Sequence, residues 1–458
     1  MIPTIERIET DAALPARADA VVIGGGIIGV SAAFFLSRQG IGVALCEKGY
    51  LAGEQSGRNW GWVRAMGRDL SEIPLCLESQ RLWASMNETC EAETGFRRCG
   101  ILYLCDSEKE MASQKKWLDA ARPFQIPSRL VDARELAELL PGTSRGFAGA
   151  LMTPSDARAE PQKAVPAIAE AARRHGAKIA ENCAVRGLDI AAGKIVGVIT
   201  EKGRIACETV ILAGGAWSRL FLGNEGIDLP QLKMLGSVFA TGPMPGGPEV
   251  TVGGPTFSFC KRLDGSYTMS RRNGSISHFT PDSFRLFFDF LPSLITGWDE
   301  VQLRVTGRFR EEWRMPRQWK LDARSPFEDI RVLDPKPDEA QVEEARNDIA
   351  AAFPFFRDMK VENAWGGLID VTPDAVPVIS PVESLPGLII ATGFSGHGFG
   401  IGPGAGKLAS ELATGAPPCV DPTPFRLERF KRSGKPAKPA SGRLEIGGKG
   451  RPNPIAPR

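Results

Sequence analysis

Residues 19–49 read DAVVIGGGIIGVSAAFFLSRQGIGVALCEKG, and the order of residue types in this stretch decides the fold. Asp19–Ile23 is a short β-branched run, the pattern of a buried strand. Gly24-x-Gly26-x-x-Gly29 follows at once, then a helical segment over Val30–Gln39. After Gly40 a second strand, Ile41–Cys46, is closed by Glu47, eighteen positions beyond Gly29. Strand, glycine turn, helix, strand and acid in this order make a dinucleotide-binding βαβ unit. Gly24 permits the tight turn, Gly26 lets backbone amides approach a pyrophosphate, and Gly29 lets the helix pack on the strand. Glu47 can accept hydrogen bonds from ribose hydroxyls, which disfavours a 2′-phosphate there.

The rest of the chain sets the frame. With 458 residues it exceeds the size at which one core keeps growing, so two domains are expected. Net charge is +2, but residues 431–458 carry eight Lys/Arg and one acid, leaving −5 on the remainder. That Pro/Gly-rich basic tail reads as a loosely draped terminus, with contact to acidic lipid or a partner as the alternative. No basic aromatic stripe marks a nucleic-acid binder. Nine cysteines without a C-x-x-C pair read as reduced thiols of a cytoplasmic protein, and three scattered histidines argue against a metal site. The apolar run Ala18–Leu36 follows an acidic leader and holds four glycines, so it fits neither a signal peptide nor a membrane span.

Two later segments point back to the first. Glu181–Val198 reads as a strand, a turn at Ala191-Ala-Gly193 and a second strand. Thr209–Trp217 (TVILAGGAW) is a buried strand running into Gly214-Gly215, which would return backbone to the cofactor beside the first turn. Leu388–Thr392 is another buried strand. It leads into GFSGHGFGIGPG (393–404), read as a glycine loop, with a helix expected from Lys407 to Thr414. Strand, glycine loop and helix N-terminus would set N–H groups against the electron-rich edge of a reduced flavin, with His397 packed at that edge.

These residues resemble a known family. VVIGGGIIG, TVILAGGAWS, WGGLIDVTPDAVPVI and ATGFSGHGF recur in order in the FAD-dependent D-amino acid oxidase and sarcosine oxidase superfamily, which includes D-amino acid dehydrogenases and glycine oxidases. The resemblance spans about Asp19 to Phe430. It implies an α/β fold: a Rossmann-like FAD-binding domain (1–90, 156–230, 361–430), an antiparallel-sheet substrate domain (91–155, 231–360), and the tail 431–458. It implies FAD contacts from Gly24, Gly26, Ile27, Ile28, Gly29, Glu47 and Lys48, and from Ser56, Arg58, Asn59 and Trp60. Further contacts would come from Val185, Ala213, Gly214, Trp217 and Gly367, and from Gly396, His397, Gly398, Phe399 and Gly400.

For the substrate, Trp60 and Trp62 with Arg58, Arg64 and Arg68 suit an apolar pocket with polar anchors. Arg64 matches the arginine that binds substrate carboxylate in sarcosine oxidases. The pair Phe257–Arg272 reads as a hairpin about Asp264-Gly265, with Tyr267 and Arg271 on one strand face as pocket-wall candidates and Arg272 as a further carboxylate candidate. Asp282–Ile295 is strongly apolar; burial in the second domain is the expectation, with a lid, a subunit contact (a homo-oligomer) or a membrane surface as alternatives.

Departures from the family refine the expectation. Gly400 stands where sarcosine oxidases have a lysine, Leu368 where they have the flavin-tethering cysteine, and no tethering histidine lies near Trp60, so FAD should be noncovalent. Thr268 in place of an oxygen-activating lysine favours a dehydrogenase passing electrons to a quinone or other carrier over one using oxygen. The expected activity is oxidation of the C–N bond of a D-amino acid or N-substituted amino acid by hydride transfer to flavin N5, then hydrolysis of the imine. Alternatives are a C–OH dehydrogenase with His397 as base, and a non-catalytic flavin subunit of a larger complex.

Overall fold

The computed structural model describes residues 3–272, 274–296 and 301–430; the basic tail lies outside them. The opening stretch folds as strand Ala20–Ile23, helix Ile27–Arg38 and strand Val43–Cys46. The helix begins three residues earlier than its sequence suggests because Gly26 already serves as its N-cap. Ala20–Ile23 sits centrally in a six-stranded sheet, parallel to Val43–Cys46 on one side and to Thr209–Leu212 on the other. Leu388–Thr392 continues the parallel set, and Val378–Pro381 closes that edge antiparallel. Each strand buries both faces in turn, as a layered α/β fold requires. Val22, Leu45, Ile211 and Ile389 meet the helices, while Val21, Ala44, Val210 and Ile390 meet the three-stranded sheet of Val185–Ala191, Lys194–Thr200 and Gly203–Ala206.

The glycine run near the C-terminus corrects the loop expectation. Helix spans Gly398–Thr414, so most of the run is the first half of a helix. Glycine and proline are poor helix formers, and packing overrides propensity here. A Cβ on Gly402 would stand 2.5 Å from Ile27 Cγ1, and one on Gly406 would stand 2.4 Å from Ser31 Cβ and 2.7 Å from Ala32 N. The glycines therefore let this helix lie directly on the first one. Pro403 breaks the internal ladder, and Ser79 Oγ bridges nearby, donating to Gly400 O (2.8 Å) and accepting from Gly404 N (3.2 Å).

A second, ten-stranded sheet runs from Val301–Arg304 through Leu232–Thr241, Tyr267–Arg271, Phe257–Lys261 and Ile101–Cys105 to Arg129–Asp132. Val361–Val371 pairs along Leu232–Thr241, so residues 361–371 form a strand of this sheet, and Gly367 and Asp370 on it reach the cavity described below. Helix Glu339–Ala352 with Phe353 and Phe356 covers one face, packing on Leu102, Phe259, Tyr267 and Met269. The opposite face carries Ile101, Tyr103, Leu151 and Cys260 with Trp62.

Burial of Asp282–Ile295 holds only in part. It forms two short helices in which Leu286 is buried but Phe284, Phe288 and Ile295 are 65%, 70% and 71% exposed, although Phe284 meets Phe309 edge-on. Among the described residues no helix is long and apolar enough to cross a membrane.

Helix contact through Gly406 gives the first test. Gly406→Ala should cost roughly 1–3 kcal/mol in denaturant unfolding. Gly223→Ala, in a helix with nothing within 4 Å of the new methyl, should be neutral or slightly stabilising. Equal effects would mean that the close approach is not what the glycine serves.

Candidate active site

One cavity of about 300 Å³ lies where the two sheets meet. The residues expected to hold the cofactor line it, from Gly24, Gly26, Ile27 and Ile28 through Glu47, Lys48, Ser56, Arg58, Asn59 and Trp60 to Val185, Ala213, Gly214, Trp217, Gly367 and Gly396–Gly400. Gly29 stays behind the wall, where a Cβ would stand 1.9 Å from Gly24 O. Gly24 has φ +108°, and a Cβ there would meet Ala213 O at 2.4 Å. These two positions hold the strand-to-helix turn tight.

The far-apart motifs are joined by specific bonds. Asp370 Oδ2 accepts from Gly393 N (2.8 Å), Gln231 Nε2 (2.9 Å) and Thr392 Oγ1 (3.2 Å), tying WGGLIDVTPD to ATGFSGHGF. Burial pushes the Asp370 carboxyl up against these bonds. Trp365 Nε1 donates to Arg58 O (3.0 Å), and Arg58 Nη1 donates to Gly366 O (2.9 Å), fixing residues 53–60 over the same strand. Glu47 accepts from Gly25 N (2.6 Å) and Gly49 N (2.7 Å), and its burial raises its pKa. Lys48 Nζ donates to Glu54 (2.7 Å) and lies 4.5 Å from the Trp217 ring centroid.

The donor set fits FAD. Two long helices, Ile27–Arg38 and Gly398–Thr414, start on this cavity without an acidic residue in the first turn and without capping by their N-cap side chains. Their N–H groups and positive ends suit phosphate and an electron-rich ring edge. Ser56 Oγ accepts from Ile27 N (2.9 Å) at the first of them. Arg58 Nη2, buried on the cavity wall, has no partner in the structure.

The substrate end is built around Tyr103. Arg272 lies 3.9 Å and Arg64 5.4 Å from its ring centroid, and Trp62 packs at 6.1 Å with Trp60 beyond it. Arg64, Arg68 and Arg272 are each at most 7% exposed. Arg64 donates to Met66 O, and Arg272 to Gly254 O at 3.2 Å. Buried Asp156 pins the loop of Arg64 and Arg68 by accepting from Ala65 N (2.9 Å), Met66 N (3.3 Å) and Gln80 Nε2 (2.7 Å).

The strand register separates the remaining candidates. Tyr267 faces the helix-covered side, donating to Pro248 O (2.9 Å), so it does not reach the cavity. Arg271 shares that side and pairs with Glu344 of the covering helix, while also lining the cavity. Arg272, one residue on, takes the other side. The turn after Phe257–Lys261 runs over five residues, not two, with Gly265 at φ +82°.

His397 meets both oxygens of fully buried Glu72 at 3.4 Å through Nδ1. Burial pulls the His397 pKa down to about 4, with Arg68 adding to the effect. Burial works to raise Glu72, but His397, Arg68 and Arg64 outweigh it and hold the carboxyl below its usual range. A carboxylate only accepts, so Nδ1 carries the proton and the neutral ring keeps Nε2 as an acceptor. Sequence reasoning missed Glu72 and Tyr103, neither of which stands in a motif.

The chain matches the family described as DAO, FAD dependent oxidoreductase, over residues 19–412, and it belongs to that family. It is an FAD-dependent oxidoreductase whose relatives are named for amino acids and amines. Its fold superposes on L-amino acid deaminase from Proteus myxofaciens, solved in complex with anthranilate, with TM-score 0.90 and 34% identity, covering 94% of this chain and 97% of that one. It is 27% identical over 423 residues to 4-methylaminobutanoate oxidase (formaldehyde-forming) of Paenarthrobacter nicotinovorans, covering 91% of this chain but 46% of that protein. The chain thus spans about half of that relative's length. It is 24% identical to sarcosine oxidase subunit beta of Rhodobacter capsulatus, covering 91% of this chain and 89% of that one.

Asp156 offers a pH test of the loop that bears Arg64 and Arg68. Burial raises its carboxyl from 3.8 to about 6, against the Ala65 amide, Gln80 and Arg64. Within that window the folded chain holds a proton that the unfolded chain has lost, so this group adds stability as pH falls below 6. Asp156→Asn removes the effect. Wild-type stability minus variant stability should grow by roughly 1.4 kcal/mol per pH unit from pH 6 towards 4.5, and stay flat between pH 7 and 8. A difference that is flat throughout would mean an ordinary carboxyl.

Proposed function

We propose that the protein oxidises the C–N bond of an amino acid to an imine, which water hydrolyses to the oxo acid. The observation that carries this reading is the pair of buried guanidiniums of Arg64 and Arg272 on the Tyr103 ring at one end of the cofactor cavity, with buried Arg68 on the same wall. Guanidinium is the natural partner of a carboxylate, to which it can give two parallel hydrogen bonds. Trp60, Trp62 and Tyr103 would exclude water and pack the rest of the substrate. His397, kept neutral and oriented by Glu72, offers Nε2 to an amine N–H.

FAD, when bound, supplies the two-electron acceptor that takes hydride from the substrate Cα–H. Gly24–Ile28, Glu47, Ser56, Arg58 and the start of helix Gly398–Thr414 would hold it. Leu368 at the tethering position supports noncovalent binding, and Thr268 supports a carrier acceptor over oxygen.

The C–OH alternative would ask His397 to take a hydroxyl proton. A ring whose pKa is pulled down to about 4 is a poor base for that task.

The test is anaerobic addition of both enantiomers of amino acids, of N-alkyl amino acids and of 2-hydroxy acids to the holoprotein, following flavin absorbance. Amino acids should bleach it, and the L series is the first to try given the likeness to the L-amino acid deaminase. Bleaching by hydroxy acids alone would overturn the reading. Slow recovery on admitting air and fast recovery with a quinone would assign the acceptor, and flavin released by acid precipitation would show noncovalent binding.

A further inference from the structure

The cavity wall holds more anion receptors than a single carboxylate can occupy. Among the described residues, no carboxylate comes within ion-pair distance of Arg64, Arg68 or Arg272. Two buried acids lie nearby, Glu72, which hydrogen-bonds His397 and feels the charges of Arg68 and Arg64, and Asp156, which accepts from Ala65, Met66 and Gln80, but neither accepts from Arg68 Nε or Nη1. Arg68 is 3% exposed, lines the cavity, and leaves both Nε and Nη1 without a partner. Trp62 Nε1, on the same wall, is unpartnered as well. Every orphaned buried polar atom lining the cavity is a donor. A guanidinium buried with its donors unmet is costly and calls for an anionic ligand.

Arg64 and Arg272 converge on the Tyr103 ring and suffice for one carboxylate. Arg68 stands apart from that ring contact, four residues along the loop from Arg64, held there by Trp117 Nε1 donating to its carbonyl at 2.8 Å.

We infer that the substrate carries two anionic groups: an amino acid with a second carboxylate, received by Arg68. This rests on the amino acid reading above and names its substrate class. The second carboxylate sits either on the side chain or on an N-carboxyalkyl substituent, chemistries that Arg68 would meet alike.

Two measurements on the FAD-loaded protein test it. The first uses dead-end ligands: glutarate should perturb the flavin spectrum with a dissociation constant at least about tenfold below that of butyrate, an advantage that shrinks with added salt. The second uses substrates. Aspartate, glutamate and 2-aminoadipate in both enantiomers form one arm, and iminodiacetate and N-carboxymethylalanine the other, each compared with its uncharged amide. A preference in one arm identifies where the second carboxylate lies. Arg68→Met should erase most of the dicarboxylate advantage with flavin content unchanged, and Arg68→Lys should restore part of it.

Equal binding of glutarate and butyrate, or equal turnover of acids and amides, overturns the inference. Loss of flavin from a folded Arg68→Met protein also overturns it, since the free donors would then serve the cofactor. If Arg68→Met does not fold, the wild-type comparisons still decide. Should no amine reduce the flavin, the amino acid reading fails, and the ligand titration still reports on the anion site.

Discussion

The structure depends on how closely two helices lie together. Helix Gly398–Thr414 rests on Ile27–Arg38 because Gly402 and Gly406 present no side chain to Ile27, Ser31 and Ala32. That proximity brings two helix N-termini, and so two partial positive charges, to one cavity. Residues far from the glycine turn hold the arrangement in place. Trp83 Nε1 (2.9 Å) and Ser79 Oγ (2.8 Å) both donate to Gly400 O, and the Asp370 carboxylate anchors the turn just before the helix. A larger side chain at either glycine would push the second helix outward and draw Gly398–Gly400 off the cavity wall.

Electrostatics at the other end follow the same logic. Arg64, Arg68 and Arg272 enrich the wall in donors; burial keeps His397 neutral, and the charges of Arg68 and Arg64 add to that effect. Glu72 does not reverse this. It supplies an acceptor for Nδ1 and so selects the tautomer. The site is thus shaped to meet negative charge and lone pairs, with a single neutral acceptor offered in return.

How much of this was legible follows the range of each signal. The βαβ unit and the strand Leu388–Thr392 show plainly, because composition, order and spacing agree within a few tens of residues. The start of the second helix was hidden, since Gly398-Phe-Gly-Ile-Gly-Pro has the propensities of a loop and becomes helical only against its neighbour. The choice between Arg271 and Arg272 turns on which face of a strand meets the helix Glu339–Ala352. Alternation shows that neighbouring residues point apart, but not which side is covered. Glu72 and Tyr103 are ordinary residues in sequence, made functional by contacts with His397 and with Arg64 and Arg272. The aromatic stretch from Phe284 to Ile295 misleads in the opposite sense, because hydrophobicity alone does not say whether anything covers it.

The partnerless guanidinium nitrogen on the cavity wall also bears on how the protein survives in a cell. A chain with a buried guanidinium nitrogen, that of Arg58, left for a ligand to meet would assign part of its cohesion to a small molecule. Ligand that binds only the native form deepens the native well in proportion to the logarithm of its free concentration. On that linkage the native population would rise and fall with flavin supply, and copies made under riboflavin starvation would open to proteases more often.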